Sequence, residues 1–446
     1  MEHLSPGSSP GTNAGSLSDF EETAKINRWP VKSHVGPIKS IVTNTHARTT
    51  IDRIPPELLS KIFLVCAVLW PTQDLDSSLD DYFVHSVGPG DFTCGDRLPW
   101  IAIAQVCPYW RSVALACGEL WRGLLFSSPE ATKEMLRRSK GVTLIVKAEG
   151  GYNPSIYENV RTVIPDIGRV SVLHLCFKAY HLQALLRDIS VAFPVLESLR
   201  LRAKSDFYGD DPPFLMPDVI FAGNSPSLRF LEFTNCQISW QSLLAILREV
   251  PMLDSLILDR ALPTNSDIAS PKQFPSQLRV LTLGGSVDSC TNLLAQIAYP
   301  IATIATFKCE MTSRDNPNFY NFLQRAHSAI RYGCGDHIIQ SLGIANTYHC
   351  LILQSSVVCH SSAPVPSQQL PNFNVVLSRD DYRRIPVTEF MHAVVATLPL
   401  AEVQILYVSG LWQSDIDWSE FFQHLPLIHT IHFRQVFSPE LMDVLA

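Results

Sequence analysis

Leu253-Asp-Ser-Leu256-Ile-Leu258 is followed by Leu278-Arg-Val-Leu281-Thr-Leu283, two hexapeptides with apolar residues at positions 1, 4 and 6. Positions 4 and 6 share one face of an extended strand, because side chains alternate with a period of two. The same phase occurs upstream at Val170/Leu173/Leu175, Leu196/Leu199/Leu201 and Leu228/Leu231/Phe233. Weaker copies follow at Val403/Leu406/Val408 and Ile428/Ile431/Phe433. Leu231, Leu256 and Leu281 are 25 residues apart in turn, as are Leu406 and Ile431. Leu173 to Leu199 is 26 and Leu199 to Leu231 is 32, which predicts an insertion around Asp206–Asp218.

Between the triplets the apolar spacing changes to that of short amphipathic helices. Leu182, Leu185, Leu186 and Ile189 follow i, i+3, i+4, i+7, and so do Trp240, Leu243, Leu244 and Leu247. Val387, Phe390, Met391, Val394, Val395 and Leu398 give the longest such face. Pro194, Pro226, Pro251, Pro275, Pro399 and Pro426 each stand before a triplet. Proline stops a helix and favours the extended chain that leads into a strand. A strand plus a helix repeating at roughly 20–29 residues is the leucine-rich-repeat signature. One unit cannot bury its own apolar face, whereas stacked units share a continuous core. The competing reading is an ordinary α/β domain with strands at similar spacing. Residues 309–375 fit the repeat worst, with Tyr348/Leu351/Leu353 as one degraded strand and Ser361–Pro371 as a loop.

In such an array the residues between the leucines point away from the core. They are Ser198 and Arg200, Arg229 and Glu232, Ser255 and Ile257, and Thr282. Arg200, Glu232 and Ile257 are therefore the candidate target-binding residues, expected to be exposed and to owe nothing to core packing. Gly284-Gly285 is expected to be the turn that leaves a strand.

The N-terminal region has a different texture. Residues 1–48 are rich in Gly, Ser and Pro, sustain no apolar period, and read as a disordered leader. Residues 49–126 form a helical pattern. Ile54-Pro55-Pro56 opens it, with proline tolerated in the first turn, and Leu58, Leu59, Ile62, Phe63 and Cys66 follow at helical spacing. Residues 72–97 interrupt it as a solvated acidic loop carrying Asp74, Asp76, Asp80, Asp81, Asp91 and Asp96 at spacings that match no calcium loop. Helical spacing resumes from Trp100 to Leu125, and Pro108 inside it predicts two helices with a bend rather than one. Helices this short cannot bury so many large apolar side chains among themselves. Some of Ile54, Pro55, Leu58, Leu59, Ile62, Val106, Trp110, Leu115 and Trp121 are thus expected to be left for a partner.

The segments Ile51-Asp-Arg-Ile-Pro-Pro-Glu-Leu-Leu-Ser-Lys-Ile-Phe63, Val106-Cys-Pro-Tyr-Trp110 and Leu120-Trp121 resemble an F-box. The chain resembles the F-box-like proteins abundant in mushroom-forming fungi, in which a divergent leucine-rich-repeat region follows; Ile54 stands where leucine is usual. The resemblance implies an α/β chain: a small all-α F-box unit, then an irregular solenoid over 127–446 with a strand and a helix per repeat and a parallel curved sheet. It also implies a substrate-recruiting subunit of an SCF-type ubiquitin ligase. The nine residues named above would grip a Skp-type adaptor, which joins a cullin scaffold, and the repeats would hold an unknown target protein. No catalytic residue, cofactor or metal is implied. The alternative is a non-ligase repeat protein serving as an interaction scaffold, with the helical unit as its cap.

Composition agrees with a globular chain and narrows its partners. With 46% hydrophobic and 17% charged residues it can drive collapse, and a net charge of −7 with no basic stripe argues against nucleic acid. No run is long and apolar enough for a membrane span and the start lacks a secretory pattern, so the expected compartment is the cytoplasm or nucleus. Phosphate-loop, nucleophile-elbow and zinc-protease motifs are missing. His349-Cys350 with Cys359-His360 is the arrangement nearest to a zinc site, but neighbours on a strand point to opposite faces. The same objection applies to His429 and His432, and no metal is expected.

Overall fold

The computed structural model of the protein describes residues 54–69, 99–126, 128–150, 154–189, 193–204, 214–217, 225–263, 276–311, 318–331, 337–347, 350–359, 372–379, 387–411, 416–437, 441 and 444. The leader 1–48, the acidic insertion 72–97, the loop Ser361–Pro371, His349 and His360 lie outside them, as does most of Asp206–Asp218.

The apolar triplets end in extended chain. The strands are β1 (Leu144–Glu149), β2 (Val170–Lys178), β3 (Ser198–Lys204), β4 (Phe230–Thr234), β5 (Ser255–Asp259), β6 (Val280–Gly285) and β7 (Ile304–Met311). After them come β8 (His337–Asn346), β9 (Cys350–Cys359), β10 (Phe373–Arg379), β11 (Ile405–Leu411) and β12 (Thr430–Phe437). They form one open 12-stranded sheet in the order β1-β2-β3-β4-β5-β6-β7-β10-β9-β8-β11-β12. Neighbours are parallel except β8/β9 and β9/β10. The chain is therefore a mixed α/β protein with a large, mostly parallel sheet.

Register explains why the spacing recurs. Val146, Leu173, Leu199, Leu231, Leu256 and Leu281 are direct partners along one row. Ala148, Leu175, Leu201, Phe233, Leu258, Leu283 and Phe307 make the next row on the same face, and both rows are buried. The first leucines of the triplets, Leu196, Leu228, Leu253 and Leu278, are buried just before their strands. There the backbone steps from one unit to the next: the Arg229 carbonyl accepts from the N–H of Asp254 and Ser255, and the Asp254 carbonyl from Arg279 and Val280.

Helices cover the leucine face. They are α3 (Pro129–Arg138), α4 (Pro154–Arg161), α5 (Ala179–Asp188), α6 (Trp240–Glu249), α7 (Val287–Gln296), α8 (Phe319–Ser328), α9 (Val387–Thr397) and α10 (Trp418–Gln423). Leu182, Leu185 and Leu186 on α5 and Leu243, Leu244 and Leu247 on α6 are buried, as their spacing predicts. Ser239 and Ser286 cap α6 and α7 in the same way, each accepting from the backbone N–H three residues on, at 3.2 and 3.1 Å. Phe322 of α8 meets Phe307 of β7 edge-on at 5.7 Å, and Phe319 meets Phe390 of α9 at 5.3 Å.

Among the described residues, 309–375 hold β8 and β9 entire, the end of β7, the start of β10 and a short strand at Ile330–Arg331, so the strand expected around Leu351 and Leu353 is one of several. β8, β9 and β10 run as an antiparallel meander that returns toward β7, so β10 pairs with β7 and β8 is left to receive β11. Leu351 and Leu353 do lie buried on β9. Asn372 stitches the insert in place: its side chain bonds Val357 N–H at 2.7 Å and the carbonyls of Val357 and Ile301, while its backbone carbonyl accepts from Ala305. Gly284-Gly285 is also not a turn. Both are still paired as the last residues of β6, and a side chain at 284 would run into Asp259.

The N-terminal helices are α1 (Pro56–Leu69) and α2 (Pro108–Ala116), with 3-10 turns at Pro99–Gln105 and Gly118–Trp121. The stretch is divided before Pro108, as the proline predicts: a 3-10 turn ends at Gln105 and Pro108 begins α2, with Cys107 as its cap. The chain then runs along the edge of β1. Leu124 N–H donates to Ile145 O at 3.1 Å and Ile145 N–H to Arg122 O at 2.8 Å. Pro55–Ala446 forms one compact unit. No helix among the described residues is long and apolar enough to cross a membrane.

Candidate functional site

Helix α1 buries one apolar row and exposes another. Leu59 and Phe63, four apart, are fully buried, and the Phe63 ring packs 5.2 Å from that of Trp110 on α2. Leu58, Ile62 and Val65 lie at i, i+4, i+7 on the other side, at 53%, 44% and 55% exposure. The adjoining turn contributes Ile101, and Val106 follows it at 59% exposure. Monomeric folds seldom leave so many large apolar side chains open on so small a unit.

The nine residues expected to meet a partner therefore divide. Pro55, Leu58, Ile62 and Val106 are exposed, and Ile54, Trp110 and Leu115 are half-buried. Leu59 and Trp121 are instead buried within the chain. The Trp121 indole N–H donates to Ala114 O at 3.1 Å, and the Arg138 guanidinium lies 4.4 Å over its ring. The physical reason is geometric: a helix with two apolar rows turns only one outward. Val65 and Ile101, which lie outside the Ile51–Phe63, Val106–Trp110 and Leu120–Trp121 segments, extend the exposed apolar row.

The second surface is the face of the sheet opposite the leucines. Arg200, Glu232 and Ile257 are direct neighbours there, continued by Thr282 and Thr306 on one side and by His174 and Lys147 on the other. The register places Phe230, not Arg229, beside Ser198 and Ser255. The expectation that Glu232 is exposed is wrong: it is 2% exposed. Arg200 Nε donates to its Oε2 at 2.7 Å and Arg202 Nη2 to its Oε1 at 3.1 Å, so two guanidiniums close over the carboxylate. Arg200 also lies 5.4 Å over the Phe230 ring. Arg202 and Lys204 were missed as members of this face, although the alternation in Ser198-Leu-Arg-Leu-Arg-Ala-Lys204 marks them.

The remaining chemistry is muted. Burial pushes the Cys176 thiol up, with Glu149 adding to the shift, and burial pushes Cys236 up to about 12. Cys290 is raised well above its ordinary value by its hydrogen bond with Cys309 and by burial. Such thiols stay protonated and are poor nucleophiles. Cys350 and Cys359 begin and end the same strand, about 30 Å apart at ~3.3 Å per residue. Among the described residues no three metal-ligating side chains converge. An open depression of ≈ 420 Å³ is lined by Glu158, Arg161, Thr162, Ile164, Pro165 and Asp188, where Arg161 pairs with Asp188 at 3.0 Å. No protein-family model, curated protein or solved structure matches the chain.

Proposed function

We propose that the chain is the substrate-recruiting subunit of an SCF-type ubiquitin ligase. In this reading the helical unit is an F-box that docks a Skp-type adaptor, and through it a cullin scaffold. The sheet and its helices are an irregular leucine-rich-repeat array whose outward face holds a target protein. The chain performs no chemical step itself and takes no cofactor.

The observation that carries this reading is the second apolar row of α1. Leu59 and Phe63 already anchor the helix, so folding has no use for exposed Leu58, Ile62 and Val65. A partner helix laid against them would desolvate all three, and buried apolar anchors of this kind dominate interface energies. The test is co-purification of the full chain with a Skp-type adaptor and its cullin. Wild type should be captured, and Leu58→Asp with Ile62→Asp should abolish capture while leaving the melting temperature unchanged. Absence of wild-type capture, or capture that survives the double substitution, would overturn the reading.

One observation favours the alternative of a non-ligase scaffold. Arg122–Leu124 hydrogen-bonds along the outer edge of β1, as a terminal cap does. A cap that also docks an adaptor satisfies both readings; a cap alone leaves the exposed row of α1 unexplained.

A further inference from the structure

We infer that the outward face carries a slot over Gly343 of β8, and that this slot receives a tryptophan side chain of a bound protein. The inference names the anchor of the outward face proposed above, and rests on that reading for calling the occupant a target.

The strand register builds the slot. Thr306, Asn374, Gln354, Gly343, Tyr407 and His432 are direct partners in one outward row over β7, β10, β9, β8, β11 and β12. Gly343 puts no side chain into that row, and neither backbone nor packing requires glycine there. Its φ is not positive. A Cβ at 343 would stand 3.6 Å from the Gln354 Cβ and 3.8 Å from the Tyr407 Cβ, ordinary contacts on both sides. The same two distances set the thickness of the slot at its floor. One layer of atoms touches both walls, which is the thickness of a planar group.

Both walls keep unused capacity. The rings of Tyr407 and His432 lie 4.7 Å apart and 9° from parallel. That separation is one strand spacing, so the rings face each other along the row. His432 therefore takes one face of Tyr407, and the other face is turned over Gly343. No other ring or cation among the described residues covers it, and Tyr407 is 44% exposed. On the opposite wall, the Gln354 amide makes no hydrogen bond among the described residues. Beyond it, Asn374 is 5% exposed, its Nδ2 reaches Thr306 at 3.5 Å, and its Oδ1 accepts from no donor. A buried acceptor left without a donor is costly.

The occupant these walls suit is flat, apolar on its faces, and brings an N–H donor at its edge. Indole meets all three conditions. Its face stacks on Tyr407 and its N–H donates to the Gln354 amide oxygen, and tryptophan is the kind of side chain that anchors protein interfaces. With its oxygen so engaged, Gln354 can turn its amide N–H toward Asn374, whose Oδ1 lacks a donor. An arginine guanidinium is also planar, but it would lose water in a row that holds no carboxylate. A nucleic-acid strand needs successive platforms for its bases, and this slot takes one.

The test is saturation-transfer difference NMR on the full chain with four probes. They are the capped tripeptides Gly-Trp-Gly, Gly-Phe-Gly and Gly-Arg-Gly, and adenosine monophosphate. The indole protons should receive the strongest transfer, and the phenyl protons less because phenylalanine brings no ring N–H. Gly343→Leu fills the slot and Tyr407→Ala removes a wall; each should cut transfer to the indole about fivefold with unchanged melting. Should Gly343→Leu lower the melting temperature, Tyr407→Ala at its exposed position still decides. Indole transfer that survives Tyr407→Ala, equal transfer to the phenyl ring, or stronger transfer to the arginine probe or the nucleotide would overturn the inference. Adaptor capture by the same wild-type preparation separates the two readings. Capture without indole binding removes the slot alone, and indole binding without capture removes the ligase role alone.

Discussion

Leu58 and Leu59 are consecutive, yet one is 53% exposed and the other fully buried. Truncating Leu59 to Ala should cost about 2–5 kcal/mol, because it opens a cavity beside Phe63, whereas Leu58→Ala should stay within about 0.5 kcal/mol. Urea denaturation of both variants checks this, and equal losses would mean that the faces of α1 are assigned wrongly. Glu134 offers a test by titration. Side-chain hydrogen bonds from Arg137 and Arg138 bring its carboxyl down to about 2 from the ordinary 4.5. Its depressed value means that its stabilising contribution is present above pH 4.5 and is lost as pH falls toward 2. The carboxyl carbon of Glu134 should therefore titrate near pH 2 by NMR, and near the ordinary value once both arginines are replaced by Gln. Residue direction was legible in the sequence, since alternation puts Arg200, Glu232 and Ile257 on one face. Burial depth was not, because Glu232 is covered by side chains from a strand 32 positions away, a contact that no local pattern records. Glu232→Ala should accordingly cost about 1–3 kcal/mol rather than the few tenths expected of a surface position.

At the scale of elements, the strongest local signals were those with a period. The triplets mark β3, β4, β5, β6 and β11, and the apolar spacing on α5, α6 and α9 locates their buried faces. The meander of β8, β9 and β10 was obscure for a physical reason. A long antiparallel strand needs no helix or proline between its leucines, and β8 and β9 are joined by a short connection, so the 25-residue period lapses there. What replaces the period is a single side chain. Asn372 binds Val357 twice and Ile301 once, joining β9, β10 and the approach to β7. Asn372→Ala removes these bonds and leaves buried backbone groups unpaired, so a loss of about 1–3 kcal/mol is expected, against about 1 kcal/mol for removing the helix cap Ser239. Chemical denaturation of the two variants checks the order; a smaller effect at Asn372 would mean that the strand ladder alone holds the insert.

For the whole molecule, the two edges of the sheet differ. β1 is lined by Arg122–Leu124. Among the described residues β12 pairs only with β11, and it exposes Phe433 at 44%. Amides of β12 should therefore exchange with solvent before those of β1, and those of β5 and β6 last, as measured by native-state hydrogen exchange. Protection of β12 equal to that of β5 would show that something unseen closes that edge. The reversed seating of β10 has a consequence for how the protein is made. Strands β1 to β7 can stack in the order in which the ribosome delivers them, each new strand finding its neighbour already in place. The strand that covers β7, however, is β10, and Arg379 follows Met311 by 68 residues. At about 5–20 residues per second, β7 waits roughly 3–14 s with its edge uncovered while the nascent chain passes through β8 and β9. An unpaired strand edge invites pairing with another chain, so this pause is where a crowded polysome would first produce aggregates, and where a chaperone bound to the emerging chain would rescue the most protein.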